Sequence, residues 1–213
     1  MDSINTMIRF FQDGGVFMYP IVVVSALAIA ITVERWIFLT YSRVSNQKSW
    51  NDLLPLLTKG DYQKAYNMAS QSEAAVSKII TYGLTSLGAN HRLDDVEAAL
   101  EEGLMEMTPR LEKRTHYLAT LANIATLLGL LGTVIGLIQA FASVTTADPA
   151  EKAELLSKSI SVAMNATAFG LIVAIPCLLM YTVLQTKTAE LLNSLEMVGV
   201  KFNNMLRRRT KQE

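Results

Sequence analysis

Residues 126–137 read "TLLGLLGTVIGL", three glycines and two threonines inside a stretch without charge. Bilayer hydrocarbon selects for neither residue type, so the stretch raises the question of what Thr126, Gly129, Gly132, Thr133 and Gly136 face. The uncharged segment around it runs from about Tyr117 to Val144, enough for a helix to cross the hydrocarbon core. Two further segments pass the same test. One is "GGVFMYPIVVVSALAIAITVERWIFL", uncharged from Gly14 to Val33; the other is "ISVAMNATAFGLIVAIPCLLMYTVLQ", residues 160–185. The chain is thus expected to be an all-α membrane protein with three transmembrane helices.

Composition narrows the function. Formal net charge is +0, which gives no electrostatic case for binding nucleic acid. The lone cysteine, Cys177, permits no intrachain disulfide and reads as a small buried hydrophobe. His91 and His116 have no metal-ligand spacing, and no nucleophile–base pair is legible. An enzyme is not expected, nor is a cofactor.

The first span has "SALAIA" at cleavage-like spacing, but lacks a basic leading region and is too long for a signal core, so it reads as an uncleaved anchor. Before it, Ile4, Met7, Ile8 and Phe11 fall at helical spacing and suit an interfacial amphipathic helix over residues 1–13. Lysine and arginine set the orientation. Arg35, Arg43 and Lys48 follow the first span; Arg110, Lys113 and Arg114 precede the second; Lys187, Lys201, Arg207, Arg208, Arg209 and Lys211 follow the third. The N-terminus is therefore expected outside and the C-terminus in the cytoplasm, with long cytoplasmic helical extensions. The divisions are a first span over 14–40, a cytoplasmic helical domain over 41–116, a second span over 117–144, a periplasmic link over 145–159, a third span over 160–185 and a cytoplasmic helical tail over 186–213. Glu34 and Arg35 mark the membrane interface.

Inside the cytoplasmic domain the pattern predicts a helix, a turn at Gly60–Asp61 and a helix. Val96, Leu100, Leu104, Met107 and Leu111 then form one stripe, on a helix expected to continue into the second span, kinked or loosened at Pro109. In the tail, Leu184, Thr188, Leu191, Leu195, Val198, Phe202 and Met205 form a short heptad-like seam. Packing against the chain's own helices explains it as well as self-association does.

At 3.6 residues per turn, Asn123, Thr126, Gly129, Thr133, Gly136 and Ala140 share a small, mildly polar face. Ala163, Thr167, Gly170, Ala174 and Cys177 share another on the third span, with Ser161 and Asn165 beside it. Small residues let membrane helices approach closely. The same faces could offer hydroxyl and amide groups to an ion path, but they hold no titratable group. An intramembrane carboxylate would have to come from a partner.

The motifs "GGVFMYP…ERW", "LATLANIATLLGLLGTVIGL" and "ATAFGLIVAIP", in this order, resemble the MotA/TolQ/ExbB proton-channel family, nearest its ExbB/TolQ branch. The resemblance implies an inner-membrane homopentamer around two copies of a single-span ExbD/TolR-like partner, whose transmembrane aspartate carries the ion. It also implies mechanical work on a TonB-like or other periplasm-spanning protein in biopolymer transport. Thr133 and Thr167 match the family's threonines near that aspartate, with Thr126, Asn123, Asn165 and Ser161 as further lining groups. Gly129, Gly132, Gly136, Gly170, Ala163 and Ala174 would pack around the partner. H+ is the expected ion, with Na+ open, because Val162 stands where several relatives have glutamate. The competing reading is a non-conducting scaffold that assembles a partner.

Overall fold

The computed structural model describes residues 14–89, 92–146 and 148–210. The amphipathic reading of residues 1–13, and His91, lie outside the described residues. Among the described residues six helices follow one another: α1 Met18–Lys59, α2 Tyr62–Ser70, α3 Ala75–Gly88, α4 Leu93–Glu112, α5 Thr115–Thr146 and α6 Lys152–Thr210. Three helical stretches of the described residues are long and apolar enough to span a membrane. In the most apolar window of each, only 22% of the residues are buried. The remaining apolar surface is left for lipid or other chains.

The chain divides into two compact units. An apolar unit holds residues up to Val33 and Arg114–Val183; a polar unit holds Glu34–Lys113 and the residues from Leu184 onward. In the apolar unit α1 buries Met18, Ile21, Val24 and Ala28 while Val23, Leu27 and Ile29 stay exposed, a one-sided pattern at helical spacing.

The polar unit is a helical core whose stripes match their spacing. Val96, Leu100, Met107 and Leu111 of α4 are buried, and Leu104 is half-buried. From α6, Leu184, Thr188, Leu191, Leu195, Val198 and Phe202 are buried. A Cβ placed on Gly83 of α3 would lie within 3.1 Å of both Leu100 and Phe202. The tail's heptad seam is thus covered by the chain's own helices.

Helix ends in this unit are closed by local turns and by residues distant in sequence. The turn at Gly60–Asp61 occurs as expected. Gly60 takes φ +82°, Gly60 N–H donates to Leu57 O at 3.2 Å and Asp61 N–H to Leu56 O at 3.0 Å, a Schellman closure. Arg209 adds a hydrogen bond to Thr58 O at 2.7 Å. At the start of α3, Ala74 has no side chain to cap with. Buried Asn46 of α1 supplies the missing acceptor, taking Val76 N–H at 3.2 Å. Asn46→Leu is therefore expected to cost about 1–2 kcal/mol by orphaning that donor; chemical denaturation of the solubilised protein measures it, and an unchanged midpoint would contradict the cap. Elsewhere, Tyr82 donates to Glu106 at 2.5 Å, and that bond and charge hold the phenol pKa above its ordinary value.

Two helix boundaries differ from the sequence reading. The break before the second span is at Lys113–Arg114, not at Pro109, which lies inside α4. Arg114 adopts φ 66°, and Arg35 donates to Leu111 O in the last turn of α4. Helix C-termini expose carbonyls that favour such a cation, so the interface marker Arg35 is a buried cap, stacked 4.9 Å from the Phe38 ring centroid. The expected link over 145–159 is mostly helix, since α5 reaches Thr146 and α6 starts at Lys152. The helix of the first span runs on past residue 40, α1 reaching Lys59, in keeping with the expected helical extension.

Candidate ion-pathway site

The second and third spans, α5 and the apolar part of α6, meet along a line of small residues. Leu118, Ala122, Ala125 and Ala140 of α5 and Ala163, Ala166, Ala174 and Cys177 of α6 are buried. The glycines set the approach. A Cβ on Gly170 would sit 2.7 Å from Ala125 O and 3.2 Å from Gly129 Cα; one on Gly129 would sit 3.1 Å from Thr167 Cα. A Cβ on Gly132 or Gly136 would come within 2.7 Å of Ala166 Cβ or Ala163 Cβ respectively. The two backbones are in near contact, as small residues allow between membrane helices.

The residues expected to pack around a partner helix therefore pack within one chain. Gly129, Gly132, Gly136, Gly170 and Ala163 all lie in this α5–α6 contact, and Ala174 is buried in the same unit. The physical reason is reciprocity: each helix offers a small face, and the two faces close on each other. The buried face of α5 also sits slightly around the helix from the expected one. It follows Leu118, Ala122, Ala125, Gly129 and Gly132, so Ala122 and Ala125 belong to it, while Asn123 is exposed and Thr126 half-buried. A repeat of small residues at steps of four and three was the signal for it.

Two polar bonds lace the contact. Thr167 Oγ1 donates to Gly129 O on the facing helix at 2.8 Å, and Cys177 Sγ donates to Leu118 O at 3.1 Å. Thr133 is half-buried at the flank and its Oγ1 donates to Leu130 O of its own helix at 2.6 Å. Thr126 does the same to Ala122 O at 3.1 Å. Of the flanking groups on α6, Ser161 is exposed and Asn165 half-buried. Val162 is half-buried, 3.2 Å from where a Cβ on Gly15 would be.

This arrangement has a chemical direction. A threonine hydroxyl has one proton to donate. Thr133 and Thr167 both give theirs to a backbone carbonyl. What their oxygens retain is acceptor capacity. They can receive a bond from a protonated carboxyl or a hydrated cation, and they cannot carry a proton by titration. The sequence of both spans is uncharged around them. Among the described residues no cluster of His, Cys, Asp or Glu could hold a metal ion.

Comparison with known proteins identifies the family. Residues 71–197, more than half the chain, match the model of the MotA/TolQ/ExbB proton channel family. The chain belongs to that family. Among its relatives is a protein of Methanothermobacter thermautotrophicus named as a biopolymer transport protein ExbB homolog, 30% identical over 91% of this chain and 68% of that one. Biopolymer transport protein exbB1 of Vibrio cholerae is 28% identical over 78% of this chain and 73% of its own. The Tol-Pal system protein TolQ of Haemophilus influenzae is 39% identical over a shorter region, 33% of this chain and 31% of that one. This MotA/TolQ/ExbB family member is a multi-pass protein of the inner membrane, all-helical among its described residues, with three apolar helices able to span it.

Proposed function

We propose that the chain is the ring-forming subunit of an ion-driven motor. Five copies enclose two copies of a single-span ExbD/TolR-like partner, with the N-terminus outside and the polar unit in the cytoplasm. The partner's intramembrane aspartate accepts and releases H+, and Thr133 faces it. The resulting motion works on a TonB-like or other envelope-spanning protein, in keeping with the biopolymer-transport names of its relatives. The observation that supports this reading best is the acceptor-only hydroxyl of Thr133, half-buried at the flank of a tightly closed helix pair. Such a group stabilises a protonated carboxyl without competing for its proton. Asn123, Thr126, Asn165 and Ser161 extend the polar lining, and an oxygen lining of this kind would also suit Na+.

A second reading, a non-conducting scaffold, draws on a specific observation. The glycines and the Thr167 hydroxyl are already engaged inside the chain, as pure packing requires. Capture through a tagged partner followed by native mass spectrometry tests the assembly. Five copies with two of the partner are expected; a lone subunit, or no capture, rejects the ring. Ion flux separates motor from scaffold.

A further inference from the structure

The polar unit carries two unpartnered surfaces of different shape and opposite charge. One is a groove of about 470 Å³ between α4 and α6, lined by Leu104, Met105, Val200, Glu97, Glu101 and Glu196 among others. Met105 and Val200, 71% and 55% exposed, line it together, an apolar pair rather than a lone exposed side chain. At its floor, Asn203 donates to Glu97 at 2.8 Å, and its buried amide oxygen has no partner. Arg207 offsets Glu97 alone. The groove is apolar, acidic and rich in acceptors.

The other surface is a ridge on α1. Tyr41, Val44 and Lys48 lie on one face at helical spacing. Tyr41 and Val44 are 72% and 63% exposed, and Lys48 is exposed too. α1 holds no carboxylate between Glu34 and Asp52. Of those that neighbouring segments bring near, Glu190 pairs with Arg43 and Glu73 with Lys78, which leaves Lys48 as the charge of an apolar, basic ridge.

The two surfaces overlap in height, the ridge lying about 5 Å further along than the groove residues it would meet, an offset that a lysine side chain spans. Arg35 is bonded to Leu111 O and Lys187 lies over the Trp36 ring, which levels α1, α4 and α6 at one end. Arg209 on Thr58 O and Asn203 on Glu97 keep them level further along. At 1.5 Å per residue, Val44 and Lys48 lie about 14 and 20 Å along α1 from Arg35. Met105 and Glu101 lie about 9 and 15 Å along α4 from Leu111, and Glu196 and Val200 about 14 and 20 Å along α6 from Lys187.

We infer that the α1 ridge of one copy seats in the α4–α6 groove of the next, with Lys48 among Glu101 and Glu196. Two different, complementary patches on one chain make a heterologous contact, which closes into a ring when the rotation allows. The inference rests on the ring proposed above and names the surfaces and direction of its subunit contact. Disulfide trapping in isolated membranes tests it, using full-length protein with Cys177→Ala. Differently tagged Val44→Cys and Met105→Cys chains, co-expressed and mildly oxidised, should cross-link to each other and not to themselves. A chain bearing both cysteines should give a ladder of higher multimers. In the native sequence, Lys48→Glu should reduce the ring population about fivefold, with Glu101→Lys in the same chain restoring it. Equal self-cross-linking by either single variant would overturn the inference in favour of a symmetric contact. So would an intact ring by native mass without the mixed cross-link. Monomers by native mass would overturn the ring itself.

Discussion

Gly170→Ala is expected to destabilise the apolar unit by about 1–3 kcal/mol, the range for forcing a methyl into a close-packed site, and Gly170→Leu to prevent its folding. The added Cβ would sit 2.7 Å from Ala125 O. A backbone oxygen cannot rotate away as a flexible side chain can, so the helices must part. Parting them also stretches the Thr167–Gly129 hydrogen bond at 2.8 Å. Gly88→Ala is the matched control, because nothing lies within 4 Å of its would-be Cβ and alanine favours helix. Thermal melting of the solubilised protein should show a clear loss for Gly170→Ala and none for Gly88→Ala. Equal melting of the two would mean that the second and third spans do not meet at Gly129–Gly170.

Thr133→Val should lower partner-dependent ion flux roughly tenfold or more while leaving folding and assembly intact. The estimate follows from losing one acceptor bond to a charged or proton-bearing group, about 1.5–3 kcal/mol. The hydroxyl's own bond runs to Leu130 O of the same helix, so the isosteric methyl removes no tertiary contact. Thr133→Ser keeps the acceptor and should keep most of the flux. Thr167→Val differs in kind, since it deletes an interhelix bond and should lose stability by about 1 kcal/mol as well as flux. Proteoliposome flux measured beside melting temperature distinguishes the two threonines. Full flux in Thr133→Val would remove that residue from the ion path.

The three spans were legible because absence of charge over a bilayer-length run is a one-dimensional signal. The turn at Gly60–Asp61 was legible because a left-handed residue needs glycine locally. The break at Lys113–Arg114 was not, because it is held by Arg35, a residue far away in sequence whose cap on Leu111 O no local pattern announces. Pro109 drew attention instead, yet a proline near a helix end removes a single donor and the helix runs past it. Hydropathy placed the start of the third helix at 160, where its apolar run begins; good helix formers in "EKAELLSK" start it at Lys152. The small faces of α5 and α6 were visible as faces. Their partner was not, since a small-residue stripe states how closely something packs and not which chain supplies it. Polar weighting also drew the α5 face toward Asn123 and away from Ala122 and Ala125, which the structure buries.

The proposed ion path needs both the threonine oxygens of the spans and a carboxylate from elsewhere. The most direct measurement is dissipation of an imposed pH gradient across proteoliposomes that hold this protein alone, with its single-span partner, or with the partner's intramembrane Asp changed to Asn. The account predicts flux only in the second preparation. Flux through the protein alone, or flux that persists with the Asn partner, would contradict it.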